Sequence, residues 1–216
     1  MRGAGVFERG TYSILGVITA VMGLWMAIPA LVGVPFEQGS GHWVEWVGGA
    51  TPDTLFGELH RLLTASTAHF GLSHLLINLV LLWIAGLSIA RLNSPWIIPV
   101  SFIVSGMAGT AATLGLHGGY ALGASAGIFG IFGSVVSRLP ATESSHVWPA
   151  RFLVSGVVLG LGATGDGELV AHWGGFFAGV LVGLIPWTAS SLQRSAWACV
   201  SLWGVCALVH WSNLLL

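Results

Sequence analysis

Lysine is absent from this 216-residue chain, and charge of either sign is scarce, arginine, aspartate and glutamate together making up 7% of it. Soluble domains carry about 25% charged residues, so this chain has too little ionic surface to cover a water-facing exterior. A formal net charge of −1 excludes the clustered cations that nucleic-acid binding needs, and no nucleic-acid partner is expected. Cysteine is nearly missing as well. Cys199 and Cys206 lie seven residues apart in one apolar stretch. On a helix that is about 10 Å, beyond disulfide reach, which leaves them as lipid- or core-facing apolar residues. His42, His117, His146 and His210 fall in loops or near the ends of apolar stretches, without ligand-like spacing. That argues against a metal site, and no cofactor is expected.

What the chain has instead is 55% hydrophobic residues, gathered into seven runs. They cover about Thr11–Val34, Gly71–Ala90, Trp96–Leu116, Tyr120–Val136, Trp148–Ala163, Leu169–Trp187 and Ala196–Leu214. Each is near the length of about 20 residues that a helix needs to cross a bilayer. The first is longer than the apolar core of a signal peptide and no A-x-A-like site follows it closely, so it reads as a span. The expectation is an all-α, polytopic membrane helix bundle forming a single domain over residues 1–216. Its six-span core covers about 11–187, with a seventh span at about 196–214.

The arginines orient the bundle. With the N-terminus cytoplasmic, Arg2, Arg9, Arg91, Arg138, Arg151 and Arg194 fall inside, and only Arg61 falls outside among mostly acidic residues. That is the positive-inside pattern, and it implies a multi-pass protein of the cell (plasma or inner) membrane, with the C-terminus outside if there are seven spans. The first outer connection, about Pro35–His69, is too long for a plain turn. It mixes Phe36, Trp43, Trp46 and Phe56 with acidic residues, which predicts a segment lying partly in the headgroup region; a solvated loop is the alternative.

Polar residues inside spans are costly and point to function. His74 and Asn78 are four apart, hence on one helix face, early in the second span. Ser125 lies near the start of the fourth span, in the small-residue run Gly123-Ala124-Ser125-Ala126-Gly127. His172 lies near the start of the sixth. All three spans run from outside to inside, so four polar side chains reach similar depth in the outer half of the membrane. Such a set supports acyl transfer, with Ser125 as nucleophile and His172 as base. His74, Asn78 and the Ser125 backbone N–H are the candidate oxyanion donors. No acidic residue lies within these spans, so the arrangement is a dyad. Gly175 and Gly179, with Gly123, Gly127 and Gly130, predict close packing of spans four and six. Taken singly, each residue has a structural alternative. A membrane serine can bond its own helix's i−4 carbonyl, and Ser88 in Gly86-Leu87-Ser88 is equally glycine-flanked.

His69-x4-His74-x3-Asn78, Gly123-Ala124-Ser125 and Ala171-His172-x2-Gly175-x3-Gly179, in this order on spans two, four and six, resemble the signature elements of the rhomboid intramembrane serine proteases. Glu58-Leu59-His60-Arg61 resembles that family's Glu-x-Trp-Arg pattern, with His60 in place of Trp. The resemblance covers about residues 58–180, and a seventh span after a six-span core is also a family layout. It implies Ser125 as nucleophile, His172 as general base, and His74 and Asn78 as oxyanion-stabilising. It also implies a structural role for His69 and an aromatic ring, Phe129, beside the catalytic histidine. Two departures touch the interior. Ala126 follows the nucleophile where the family usually has Gly, placing a methyl near the oxyanion hole, and Ala90 stands where many members have Glu.

The expected function is therefore an intramembrane serine endopeptidase. It would cleave single-span membrane proteins near the outer face, with the lipid bilayer as its surroundings and Gly165-Asp166-Gly167-Glu168 as a flexible cap. The alternatives are a catalytically inactive rhomboid-like protein that binds membrane helices and, behind it, a small transporter using His74, Asn78 and His172.

Overall fold

A computed structural model of the protein describes residues 2–33, 41–90, 94–138 and 166–215. Among them the chain forms α1 (Arg2–Leu31), the short α2 (Gly41–Trp46), α3 (Thr54–Gly57) and α4 (Arg61–Thr64), then α5 (Leu72–Ala90), α6 (Ile97–Leu116), α7 (Ser125–Arg138), α8 (Asp166–Leu184) and α9 (Ala189–Leu215). No strand occurs among the described residues, and the all-helical bundle matches the expected class. Stretches of α1, α6, α8 and α9 are long and apolar enough to cross a membrane, and α5 contributes a shorter apolar run, Leu72–Ser88. The protein is a multi-pass membrane protein. The expected fifth span, Trp148–Ala163, lies outside the described residues.

Apolar side chains exposed along α5 (Leu72, Leu76, Ile77, Val80, Ile84) follow helical spacing, as do Phe177, Leu181 and Leu184 on α8. A face of this kind has no water-compatible use and suits lipid. The opposite faces converge on α7, where every residue from Ala126 to Val135 is buried. It is enclosed by α5, α6 and α8. Leu82, Ile97, Ile98, Ile128 and Ile131 are fully enclosed in the main apolar cluster, together with Leu15 and Met22 of α1.

The fourth span differs from the expected Tyr120–Val136 at its start. The helix begins at Ser125. Ala121 instead forms an isolated antiparallel bridge with Ala50, the two exchanging N–H···O bonds of 2.8 and 2.9 Å. A short apolar run reads the same whether helical or not, which is why five non-helical residues, 120–124, were absorbed into the span. The 14 residues of α7 rise about 21 Å, short of the roughly 30 Å hydrocarbon core.

Backbone contact between α7 and α8 fixes the centre of the bundle, as the Gly175 and Gly179 pair predicts. Of the glycines expected to face α8 from the fourth span, however, Gly127 lies against Phe102 of α6 and Gly123 against His74 of α5. A Cβ on Gly175 would collide with the Ala126 backbone, one on Gly179 with the Gly130 backbone, and one on Gly133 with the Phe176 carbonyl. Polar bonds cross the same seam. The Ser134 hydroxyl donates to the Gly179 carbonyl at 2.8 Å and stands 2.7 Å from the Ser101 hydroxyl of α6.

The connection between α1 and α5 is built, not merely solvated. Trp43 was expected among headgroups, yet it is buried and its indole donates to the His69 carbonyl at 3.1 Å; Phe56 is 88% exposed, as an interfacial ring would be. Phe36 lies outside the described residues.

Replacing Gly179 with Val should prevent α7 and α8 from meeting. Overpacking of this kind costs about 1–3 kcal/mol or more, so the melting temperature in detergent should fall by several degrees or folded protein should fail to accumulate. The same change at Gly204, where nothing lies within 4 Å of an added Cβ, should be tolerated.

Candidate active site

One end of the bundle holds a cavity of about 530 Å³ bordered by α5, α6, α7, α8 and the turn before α7. Ser125, His172, His74, Asn78, Gly123 and Phe129 all line it. The residues that charge sorting and spacing placed at one depth are thus brought to one place. Gly175 packs just beneath, against Ala126, and His69 stands behind His74, its ring edge-on at 5.1 Å between centroids.

Ser125 is the first residue of α7. The first four N–H groups of a helix have no intrahelical partner, so its own N–H is free of the ladder and at the positive end of the helix dipole. No hydrogen bond of the Ser125 hydroxyl occurs among the described residues. Ser88, the other glycine-flanked serine, donates to the Ile84 carbonyl at 2.8 Å. The structural alternative therefore describes Ser88, four residues beyond its acceptor on one helix, and not Ser125.

Gly123 turns the chain into α7 at φ +119°, a left-handed conformation that L side chains avoid. Its N–H bonds the Ala65 carbonyl at 2.9 Å. An added Cβ would sit 2.8 Å from His74 Cε1, so the absence of a side chain here lets the imidazole lie against the turn that delivers Ser125. The Phe70 N–H approaches His74 Nδ1 at 3.4 Å. That weak contact favours the proton on Nε2, the ring nitrogen also facing Gly123. Asn78 is buried. One amide hydrogen goes to the His74 carbonyl at 2.9 Å, which leaves a second for the cavity; its Oδ1 finds no partner.

His172 is buried on α8, with the Phe129 ring 4.6 Å from its own between centroids. Its Nδ1 is buried without a hydrogen-bond partner, so Nε2 is the nitrogen left for the cavity. Among the described residues no carboxylate bonds Nδ1, and no hydrogen bond joins Ser125 to His172. Catalytic hydrogen bonds are often long in ligand-free enzymes and close only around substrate. The ring of His69 is fully buried, with Nδ1 3.1 Å from the Thr67 carbonyl.

The Ala126 methyl is seated toward α6. A Cβ on Gly109 would overlap it at 2.5 Å, so Gly109 supplies the room that the extra methyl takes. Two features escaped the sequence reading. Asp166–Glu168, expected as a flexible cap, form the first turn of α8. Glu168 consequently lies four residues before His172 on one helix face, and it lines the cavity. The i, i+4 spacing was visible, but the span was taken to begin at Leu169, three residues after the helix starts. The second is Arg61, expected to resemble a family motif and found buried. It pairs with Glu58 at 2.8 Å and donates to the Glu45 carbonyl at 2.8 Å.

Comparison with known proteins places the chain in a family. The family model described as "Rhomboid domain" matches residues 56–189. RHOMBOID-like protein 7 of Arabidopsis thaliana is 30% identical over 134 residues, 59% of this chain and 43% of that protein. RHOMBOID-like protein 4 of the same plant is 30% identical over 131 residues, 58% of this chain and 33% of its own length. Rhomboid protease GluP of Bacillus subtilis is 28% identical over 149 residues, 63% of this chain and 29% of that protein. The chain thus spans less than half the length of each of these relatives. With the family model covering more than half of the chain, this protein belongs to the rhomboid family.

Proposed function

We propose that this protein is an intramembrane serine endopeptidase that hydrolyses a peptide bond within or beside the transmembrane helix of single-span membrane proteins. The observation that carries this reading is Ser125 itself. It is a hydroxyl on the first residue of α7, unengaged by its own helix, lining the same cavity as the exposed nitrogen of a buried histidine. A relative named as a protease, rhomboid protease GluP, adds support.

In the proposed reaction Ser125 Oγ attacks the scissile carbonyl carbon while His172 Nε2 takes the hydroxyl proton. The carbonyl oxygen becomes an oxyanion facing the Ser125 N–H, His74 Nε2–H and the second Asn78 amide hydrogen. Collapse of the tetrahedral species breaks the C–N bond, and His172 gives its proton to the leaving amine. Water then hydrolyses the acyl-serine ester by the same path. A helical substrate hides its carbonyls in its own ladder, so residues that weaken helix are expected around the cleaved bond.

The charges at the two ends support an outward-facing site. Arg9, Arg138 and Arg194 belong to the end opposite the cavity, where the Arg138 guanidinium donates to the Ile185 carbonyl at 2.9 Å between α8 and α9. Glu45, Glu58 and Glu168 are at the cavity end. By the positive-inside rule the N-terminus is cytoplasmic and the cavity opens to the outside.

Purified protein should cleave a single-span reporter and label at Ser125 with a fluorophosphonate. Ser125→Ala and His172→Ala should each lower cleavage by about 10³-fold or more with membrane insertion intact. Cleavage that persists in Ser125→Ala sinks the reading, and wild-type protein that neither labels nor cleaves would instead be an inactive helix-binding member of the family.

Asn78→Ala should reduce kcat by about 10²-fold, the usual effect of losing one oxyanion donor, with KM little changed. A wild-type kcat in that variant would remove Asn78 from the oxyanion site.

A further inference from the structure

The C-terminal end of α2 shows an unusual degree of outside support. The carbonyls at and just beyond it are taken up by side chains from three other helices, Glu45 also accepting the Gly48 N–H at 3.1 Å. Arg61 of α4 donates to Glu45 and Gly49, at 2.8 and 3.2 Å. Trp25 of α1 donates to Val47 at 2.8 Å, and Thr64 of α4 to Gly48 at 2.9 Å. The Trp46 carbonyl is met by Nε2 of His210 at 3.0 Å, from α9 and 164 positions away. His210 is almost fully buried and stacks on Trp25 with centroids 5.6 Å apart.

These groups close around Gly48. It ends α2 at φ +79°, with the Gly49 N–H returning to the Val44 carbonyl at 2.8 Å, the bonding expected of a glycine-terminated helix. A Cβ on Gly48 would stand 3.1 Å from His210 Nε2 and 3.1 Å from Thr64 Oγ1. His60, 5.8 Å from the His210 ring, is held below its usual pKa, first by burial and then by the Arg61 charge. It therefore brings a neutral ring to the cluster.

Two residues after Gly48 comes Ala50, whose paired bonds with Ala121 leave only Leu122, Gly123 and Ala124 before Ser125. A chain of direct bonds thus runs from α9 through the Trp46 carbonyl and the Gly48 turn to the segment that presents Ser125. Both contributors at its far end, Trp25 and His210, lie outside the family match of residues 56–189.

We propose that α9 is a positioning element of the site: His210, by holding the Trp46 carbonyl, fixes the Ala50–Ala121 pairing and so the placement of Ser125. His210 touches no reacting atom; it acts through the backbone. The consequence for catalysis rests on the reading of Ser125 as nucleophile, whereas the ordering of residues 50 and 121–123 does not.

The test compares His210→Phe, which keeps the ring against Trp25 but lacks the N–H, with His210→Gln, which keeps an N–H. Both are examined well below their melting temperatures. In His210→Phe, amide hydrogen exchange at Ala50, Ala121 and Gly123 should speed up by about fivefold or more, the scale of one lost hydrogen bond. The rate of fluorophosphonate labelling at Ser125 should fall by a similar factor of about five. His210→Gln should restore both substantially.

Unchanged exchange at the three amides in His210→Phe overturns the proposal, whether or not the protein is a protease. Faster exchange with an unchanged labelling rate overturns it too, showing an ordered loop that does not govern Ser125. Wild-type protein that never labels would refute the protease reading, while the exchange result still decides the clamp.

Discussion

Everything in this structure that could do chemistry depends on two backbones meeting without side chains between them. Where α7 crosses α8, Gly130 and Gly179 touch directly, and Gly175 rests on the Ala126 backbone. Helices in lipid gain little from burying apolar surface, because the lipid is apolar too; close packing and interhelical bonds must hold them together. Glycine permits that packing, and the Ser134 bond to the Gly179 carbonyl adds a polar tie at the same level. This contact lies beneath Ser125 and His172, so their relative placement is set by backbone atoms, the stiffest parts of the molecule. A loose bundle could hold the same side chains and still miss productive alignment, since displacements near 1 Å cost about 10²-fold in rate.

The shortness of α7 imposes the rest. A helix that begins inside the bundle leaves N–H groups and an approach segment with no ladder of their own. Such backbone is tolerated at membrane depth only when protein satisfies it or a cavity receives it. Here both happen. Ala121 and Gly123 bond to Ala50 and Ala65, and the start of α7 borders the cavity. The partner residues sit in the connection between α1 and α5, which must itself be rigid to serve. That requirement gives a physical reason for burying Trp43 and Arg61 in a segment that could otherwise have been a loose interfacial loop.

Spans and site residues were legible because they follow from one-dimensional rules. Apolar length marked the helices, and the ordered histidine, asparagine and serine elements marked the site. The spacing of Gly175 and Gly179 on α8 foretold its contact with α7, since the pair lies on one face of a single helix, whereas Gly127 turned out to serve the contact with α6. What stayed hidden involved either a boundary or a distant partner. Tyr120–Ala124 is as apolar as the helix it precedes, so nothing local separated it from α7. Taking the sixth span to start at Leu169 put Glu168 in a cap and hid its alignment with His172. The bond from His210 to Trp46 crosses 164 positions, and no periodicity could reveal it. Near the end of an apolar run, His210 looked like an ordinary boundary residue.

The distribution of unsatisfied polar atoms carries the argument one step further. Buried polar groups ordinarily find partners, because leaving one unpaired costs roughly 1–3 kcal/mol. Away from the cavity the Ser101–Ser134–Gly179 sequence of bonds and the five carbonyls at and just after the end of α2 are paired, although Ser105 Oγ and Trp211 Nε1 are buried without a partner. At the cavity Asn78 Oδ1 and His172 Nδ1 are likewise buried and unpaired, and the half-buried Ser125 hydroxyl makes no hydrogen bond among the described residues. Of these groups the Ser125 hydroxyl is the one that is neither fully buried nor committed to its own helix, so under the proposed function an entering peptide group can meet it in a fixed geometry without first displacing an internal bond. Stability conceded at the cavity is offset by the glycine contact below it and the clamped loop beside it.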